Sequence, residues 1–302
     1  MIRIACRKEL VAATGRVQLD VRMEIERGAF VTLFGPSGVG KTTVLRMLAG
    51  LTHPDGGSIE VAGDIWFDDQ KRIALTPQQR SLGIVFQDYA LFPNLTVAEN
   101  LAYGMRQSSI QKNTLSPQLK RLLESSGLSA LRDRLPASLS GGQKQRVALA
   151  RALGRVLYGV AEGKSPLLLL DEPLSALDMT LRVQLQDELL ALHREFGLTT
   201  ILVSHDIAEV FKLSQQVFVI EDGKIVRSGS PSSVFLQQQV HGKFQLQAQV
   251  LAIRKEDVIY VLSLLVGQDI VEVIAAKDEA ERMKVGDMIA IAAKAFSPMI
   301  FS

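Results

Sequence analysis

The stretch Gly35-Pro36-Ser37-Gly38-Val39-Gly40-Lys41-Thr42-Thr43 decides how the rest of the chain is read. It follows an apolar run, Phe30 to Phe34, that predicts a buried strand. It precedes Val44-Leu45-Arg46-Met47-Leu48-Ala49-Gly50, whose apolar spacing and closing glycine predict a short helix with its stop. Strand, glycine-rich turn and helix in that order make G-x-x-x-x-G-K-[ST] a phosphate site; the plain alternative is a glycine turn before an ordinary helix. Gly35, Gly38 and Gly40 let the backbone take φ > 0 and approach an anion closely. Outward N–H groups and the helix N-terminus would then face a nucleotide's phosphates. Lys41 would reach the β- and γ-oxygens, Thr42 would ligate Mg²⁺, and Thr43 would touch the α-phosphate.

The bulk properties set bounds around that loop. A length of 302 residues favours a main domain with a smaller one beside it. Apolar residues make up 47%, ample for a core, and the mean hydropathy of +0.17 hints at a covered surface. Runs such as Leu167 to Leu170 are too short to cross a bilayer. Charges interrupt the apolar residues of Met1 to Glu9, so no signal peptide is expected there. The single cysteine, Cys6, excludes an internal disulfide and fits a reducing compartment. A net charge of +2 gives no reason to expect a nucleic-acid partner.

Along the chain, Ile2 to Cys6 and Val17 to Ile25 read as strands, and Ser58 to Val61 with Ile65 to Phe67 as an antiparallel excursion. Gly83 to Phe86 is another short buried strand, ending at Gln87. Residues 88 to 165 are rich in Leu, Arg, Gln and Ser at helical spacing, with Pro117 and Pro136 as breaks, and read as a helical insertion. Leu181 to Phe196 is an amphipathic helix, with Leu181, Leu185, Leu189 and Leu192 on one face. Thr199 to Ser204 and Val217 to Ile220 are further strands, and Ser230-Pro231 marks a helix start. The alternation of strands and helices predicts an α/β domain over residues 1 to 236, with a mostly parallel sheet, the antiparallel excursion as a β subdomain and the insertion as a helical subdomain. Beyond the polar seam Gln237-Gln238-Gln239, alternating Val, Ile and Leu predict a small β domain over residues 237 to 302.

Two further stretches point at the phosphate. Asp171 and Glu172 follow the all-Leu strand, at the end where parallel sheets place ligand sites. Asp171 could hold Mg²⁺ through its waters and Glu172 could polarise an attacking water, although acids after a strand often only cap a turn. Ser140, Gly141 and Gly142 stand before the helical run from Gln143 to Leu153, a second anion-ready helix N-terminus, or a simple cap. One chain with two such devices suggests that the second serves a nucleotide held by another copy.

Together these residues resemble the ATP-binding cassette family of ATPases over residues 1 to 236. The phosphate loop is similar to its Walker A, Leu139 to Gln143 to its LSGGQ signature, and Leu167 to Glu172 to its Walker B. The resemblance implies Glu172 as general base, Gln87 as the Q-loop glutamine near metal and water, and His205 as the γ-phosphate sensor. Ser175 to Asp178 resembles the D-loop. It further implies ATP and Mg²⁺ as cofactors, and a head-to-tail dimer with each ATP between Walker A of one copy and the signature of the other. Residues 88 to 165 become the helical subdomain that meets a membrane permease, which a solute-binding protein serves, at the cytoplasmic face of the inner membrane. The apolar segment Gln87 to Val97 either docks that partner or covers the subdomain's own core.

Narrower similarity points to importers. Leu75 to Gln87 and Leu91-Phe92-Pro93 resemble the ATPases of oxyanion and small-solute importers, and Asp133 to Ser138 those for molybdate. Sulfate, iron, polyamine and sugar importers share nearly the same engine and stay open. The C-terminal domain, with Lys284-Val285-Gly286-Asp287 and Ala292 to Met299, is similar to the small TOBE/MOP-like β-barrel of those ATPases, yet lacks their Ser-x-Arg-Asn type anion motif. Cassettes of DNA maintenance need a long coiled coil, and those of translation come in tandem; this chain offers neither. Residues Gly154 to Ser165 exceed the usual connector before Walker B, so the signature helix is expected to extend. No Phe, Tyr or Trp precedes Phe30 to stack on adenine, so base discrimination should be weak. Hydrolysis assays with GTP and ATP should give comparable rates; strict ATP selectivity would contradict this.

Overall fold

Four consecutive leucines, Leu167 to Leu170, are buried because their strand is covered on both faces. Leu168 and Leu170 enter one hydrophobic core, and Leu167 and Leu169 enter a second on the other side of the sheet. The pleat of period two divides the run between the cores. In this computed structural model the described residues are 1–12, 15–105, 115–174, 179–235, 243–256, 259–275 and 277–294. They fall into two compact units, Met1–Val234 and Phe235–Ser302.

The first unit opens with a long hairpin, β1 (Ile2–Ala12) and β2 (Gly15–Ile25), well beyond the predicted Ile2 to Cys6. Then come β3 (Phe30–Phe34), α1 (Lys41–Ala49), β4 (Gly56–Val61), β5 (Asp64–Asp68), β6 (Ile73–Ala74) and β7 (Gly83–Val85). The helical stretch holds α2 (Val97–Gly104), α3 (Pro117–Ser125) and α4 (Gly141–Ala161). Its two prolines begin elements rather than break them: Pro117 opens α3 and Pro136 a 3₁₀ turn, since neither position needs an N–H. α4 runs through 21 residues, the extension that Gly154 to Ser165 led us to expect. The unit closes with β8 (Leu167–Asp171), α5 (Met179–Glu195), β9 (Thr199–Ser204), α6 (Ile207–Leu213), β10 (Gln216–Glu221), β11 (Lys224–Gly229) and α7 (Pro231–Phe235).

All eleven strands form one sheet, in the order β6-β5-β4-β1-β2-β11-β10-β3-β9-β8-β7. The parallel strands and the antiparallel excursion that were expected join in one sheet, which is mixed rather than mostly parallel. β10, β3, β9, β8 and β7 are parallel, while β1, β2, β4, β5 and β6 pair antiparallel. The antiparallel part comes from chain reversals between β1 and β2, β4 and β5, and β5 and β6. The Asp222-Gly223 hairpin turns β11 back along β10 and sets it beside β2, joining the two parts, where the Asp20 N–H donates to the Gly223 carbonyl at 2.8 Å.

The segment after Gln87 is covered only in part. Tyr89, Leu91 and Val97 pack on the helical-side core, whereas Phe92 is exposed.

In the second unit, β12 (Lys243–Glu256), β13 (Ile259–Val266), β14 (Asp269–Ala275) and β15 (Met288–Lys294) form an antiparallel sheet, with the short α8 (Lys277–Ala280). Its order, β14-β13-β12-β15, leaves β14 and β15 unpaired with each other, so the described residues form an open sheet where a barrel was expected. Gly286, at φ 98, closes the turn before β15 and donates its N–H to the Val250 carbonyl at 2.8 Å. Residues 295 to 299 of the predicted Ala292 to Met299 stretch lie outside the described residues.

Arg80 ties the parts of the first unit together. Its side chain is almost fully buried, and Nη1 donates to the Met47 and Leu48 carbonyls at the end of α1, each at 2.7 Å. Nε donates to the Leu75 carbonyl and Nη2 to that of Trp66. Burial pulls the guanidinium down to about 10, still charged at neutral pH. Replacing it would leave buried carbonyls without donors, at roughly 1–3 kcal/mol each. Arg80→Ala should therefore lower unfolding stability by about 3 kcal/mol or more in urea titrations; a loss under about 1 kcal/mol would show the bracket to be dispensable.

Candidate phosphate-binding site

Parallel register fixes where the site lies. Phe34 pairs with Ser204, and Val203 with Asp171, while Val85 pairs with Leu170. The residues that follow these ends, Gly35, His205, Glu172 and Phe86-Gln87, therefore emerge along one rim of the sheet. Four sequence-distant segments meet there without any side chain having to reach far.

The loop between β3 and α1 has the backbone that its glycines predict. Gly35, Gly38 and Gly40 have φ of 152, 86 and 102, and a Cβ on Gly35 would collide with the Ile220 carbonyl. Pro36, Ser37 and Gly38 are exposed, Val39 and Thr43 are half-buried, and Lys41 is only 4% exposed. Lys41 Nζ donates to the Gly35 and Pro36 carbonyls, both at 2.7 Å, so the ammonium lies inside the loop's curve. The helix behind the loop is stopped by Gly50 at φ 76, whose N–H donates to the Met47 carbonyl at 3.1 Å.

Thr42 Oγ1 donates to Asp171 Oδ1 at 2.8 Å, so the loop and the end of β8 touch directly. Burial pulls Lys41 below its usual value, partly offset by Glu172 and Asp171. Burial likewise pushes Asp171 up, partly offset by the Thr42 hydrogen bond. Both charged forms are short of water, so each gains from a counter-charge: a phosphate for Lys41, a cation for Asp171. No cluster of three His, Cys, Asp or Glu able to hold a metal occurs among the described residues. A hydroxyl and a carboxylate together fit Mg²⁺ bound jointly with a phosphate, because that ion keeps much of its water.

Glu172 has φ 46, a left-handed conformation unusual outside glycine, and its N–H donates to the Val203 carbonyl at 3.2 Å. Its Oε1 lies 3.5 Å from His205 Nδ1. Behind the histidine, Asp206 accepts from the N–H groups of Ala208 and Glu209 to start α6, and pairs with Arg182 at 3.1 Å. Ser204 Oγ donates to Glu209 Oε2 at 2.6 Å. Sequence reading passed over these supports because each is an ordinary polar residue until the fold gathers them. Gln87 is exposed, in a turn closed by the Tyr89 N–H donating to the Phe86 carbonyl.

Ser140 caps α4 reciprocally with Gln143: Ser140 Oγ accepts from the Gln143 N–H, and Gln143 Oε1 from the Ser140 N–H. Ser140 and Gly141 are exposed, while Gly142 is buried against Leu181. Among the described residues, no hydrogen bond or ion pair joins Ser140 to Gln143 with the phosphate loop. Arg146 anchors this helix to α5 through two bonds to Glu188, at 2.8 and 3.0 Å. Asp178 and the rest of the predicted D-loop, Ser175 to Leu177, lie outside the described residues.

The fold and rim define a phosphate-loop cassette, and a family profile described as ABC transporter matches residues 19–175. The chain belongs to the ABC transporter family. It is 47% identical over 214 residues to a sulfate/thiosulfate import ATP-binding protein CysA 2 of Chromobacterium violaceum, covering 70% of this chain and 54% of that one. A spermidine/putrescine import ATP-binding protein PotA of the same organism is 44% identical, covering 72% of this chain and 56% of the relative. A probable sulfate/thiosulfate import ATP-binding protein CysA of Chlorella vulgaris is 44% identical, with coverage of 70% and 83%. The chain thus spans little more than half the length of the two bacterial relatives. Among solved structures, a dimeric ATP-binding cassette in a post-hydrolysis state, bound to ADP and Pi, matches with a TM-score of 0.61 at 29% identity. That match covers 76% of this chain and 99% of the other.

Lys41 is the side chain whose loss the site should tolerate least. Lys41→Ala is expected to weaken ATP binding by roughly 100-fold, about 2.7 kcal/mol, in equilibrium titrations. Wild-type affinity would remove it from the phosphate site.

Proposed function

We propose that this chain is the ATP-hydrolysing subunit of an ABC importer. The observation that carries the reading is the rim on which Lys41, Asp171, Glu172, His205 and Gln87 follow the ends of adjacent strands β3, β8, β9 and β7. In this reading the loop Gly35 to Thr43 wraps the phosphates with its N–H groups, and Lys41 turns from its own carbonyls to the β- and γ-oxygens. Thr42 and Asp171 hold Mg²⁺, which would supply charge neutralisation on the phosphate oxygens. Glu172 accepts a proton from the attacking water, and Gln87 helps to orient that water. His205, held beside Glu172, donates to the γ-phosphate.

Ser140, Gly141, Gly142 and Gln143 take no part in this chain's own rim, which supports their serving the nucleotide of a second copy in a head-to-tail dimer, with Asp178 at the same interface. Electrostatic stabilisation of the transferring phosphoryl group is then completed across the dimer. A groove of about 730 Å³, lined by Phe92, Tyr103, Arg151 and Arg155 among others, suits a permease segment. Phe92 of the Gln87 to Val97 segment and Tyr103 of α2 are both exposed there, which favours docking at this groove. No described helix is long and apolar enough to cross a membrane, so attachment at the cytoplasmic face of the inner membrane would come through that permease, with a solute-binding protein acting indirectly.

The relatives' names concern sulfate/thiosulfate and spermidine/putrescine import. They favour the sulfate or polyamine alternative over molybdate, which the motif Asp133 to Ser138 had suggested. The open sheet of residues 243–294 is assigned to the TOBE/MOP-like role in this reading, with no residue given to anion sensing.

Glu172→Gln tests the mechanism and the dimer together. The variant should bind ATP, double in mass by light scattering, and turn over roughly 100-fold more slowly or less. A variant that stays monomeric, while the wild type hydrolyses ATP at full rate as a monomer, would remove the composite site.

A further inference from the structure

The backbone just after Gln87 is held in an uncommon shape by a residue of α4. Tyr89 and Ala90, neither a glycine, have φ of 62 and 43. Two neighbouring side-chain-bearing residues in the left-handed region persist only where the surroundings fix them. Arg151 does so: Nη2 donates to the Tyr89 carbonyl at 2.9 Å and Nη1 to the Ala90 carbonyl at 2.6 Å. Its guanidinium also lies 5.4 Å from the centroid of the Phe92 ring, which in turn packs on Tyr103 of α2 at 4.5 Å between centroids.

The helix is gripped at the same level by backbone. A Cβ on Gly104 of α2 would collide with the Arg151 carbonyl, and one on Gly83 of β7 with the Ala152 carbonyl. α2 and β7 therefore seat on α4 in close backbone contact, with no side chain at either glycine to hold them apart. Ser140 caps the same helix about 16 Å away along its axis.

We infer that Arg151 is a positioning residue that locks the Gln87 loop to the helix bearing Ser140, so that the two move as one body. The inference rests on the head-to-tail dimer proposed above. In that dimer Gln87 faces the chain's own nucleotide and Ser140 faces the one held by the partner. Arg151 then couples the two ATP sites: occupancy at Gln87 sets the placement of Ser140 at the other site. The bidentate fork matters here, because two bonds to successive carbonyls fix a direction that a single ammonium would not.

The test is the dependence of turnover on ATP concentration in the purified full chain, with single-site ATP affinity and melting temperature measured alongside. The wild type should show a Hill coefficient well above one, bounded by the two sites. Arg151→Met should bring it to about one, with ATP affinity of the monomer within about twofold of wild type. Arg151→Lys, which keeps the charge but not the fork, should fall between them. Ala90→Gly covers the case in which Arg151→Met does not fold. It relieves the left-handed strain, so its melting temperature should equal or exceed that of wild type, while the loosened segment still lowers the Hill coefficient. If the variants change melting temperature alone and a dimeric wild type and Ala90→Gly share one Hill coefficient, Arg151 is only a structural tie and this inference falls. A wild type that never dimerises with ATP would overturn the dimer reading itself.

Discussion

A strand that is dry on both faces can present charge only at its end. β8 has leucine on both sides of the sheet, so its first acidic residues, Asp171 and Glu172, have to emerge where the strand meets the loop after β3. The site depends on that constraint. It places Asp171 against Thr42 and Glu172 beside His205, with Lys41 and Asp171 buried while the outer face of the loop stays open to solvent. The depressed Lys41 and raised Asp171 reflect the burial of those two groups.

The surrounding architecture holds this rim with arginine side chains, one fully buried and two half-buried. Arg80 caps the end of α1 and reaches the β5 region, so the helix behind the phosphate loop and the antiparallel part of the sheet are fastened by one guanidinium. Arg146 ties α4 to α5, and Arg182 ties α5 to the start of α6. Arg146 and Arg182 each join elements that border the rim. Arginine suits this work because its planar fork meets two acceptors in a fixed direction while staying charged when buried.

Strain accompanies function in two places on the same rim. Glu172 and the pair Tyr89-Ala90 all occupy left-handed conformations without being glycine. Glu172 is held by its bond to Val203 and its neighbour His205, and the pair by Arg151. Cavity-making or charge-removing changes near either would free backbone that these contacts hold in one shape. The apolar core carries the rest of the stability, and its two clusters meet only through the pleated strands between them.

Much of this was legible in the sequence, because local patterns with a strong physical cause survive folding. Glycines at 35, 38 and 40 predict a phosphate loop since other residues are strained at those angles, and Leu167 to Leu170 predicts a doubly covered strand since polar residues would be stranded there. The reciprocal cap of Ser140 and Gln143 is likewise a four-residue affair. What the sequence left undecided are matters of long-range partnership. The joining of the parallel and antiparallel parts in one sheet depends on where the Asp222-Gly223 hairpin delivers β11, and the open sheet of the second unit on which strand ends pair. The bonds of Arg80 and Arg151 span loops whose closure no local pattern announces. The sequence by itself determined the phosphate loop, the acidic strand end and the signature cap, because each is set by neighbours in the chain. Only the tertiary structure decided which arginines hold them in register, because a guanidinium's partners are whatever acceptors the fold brings within reach.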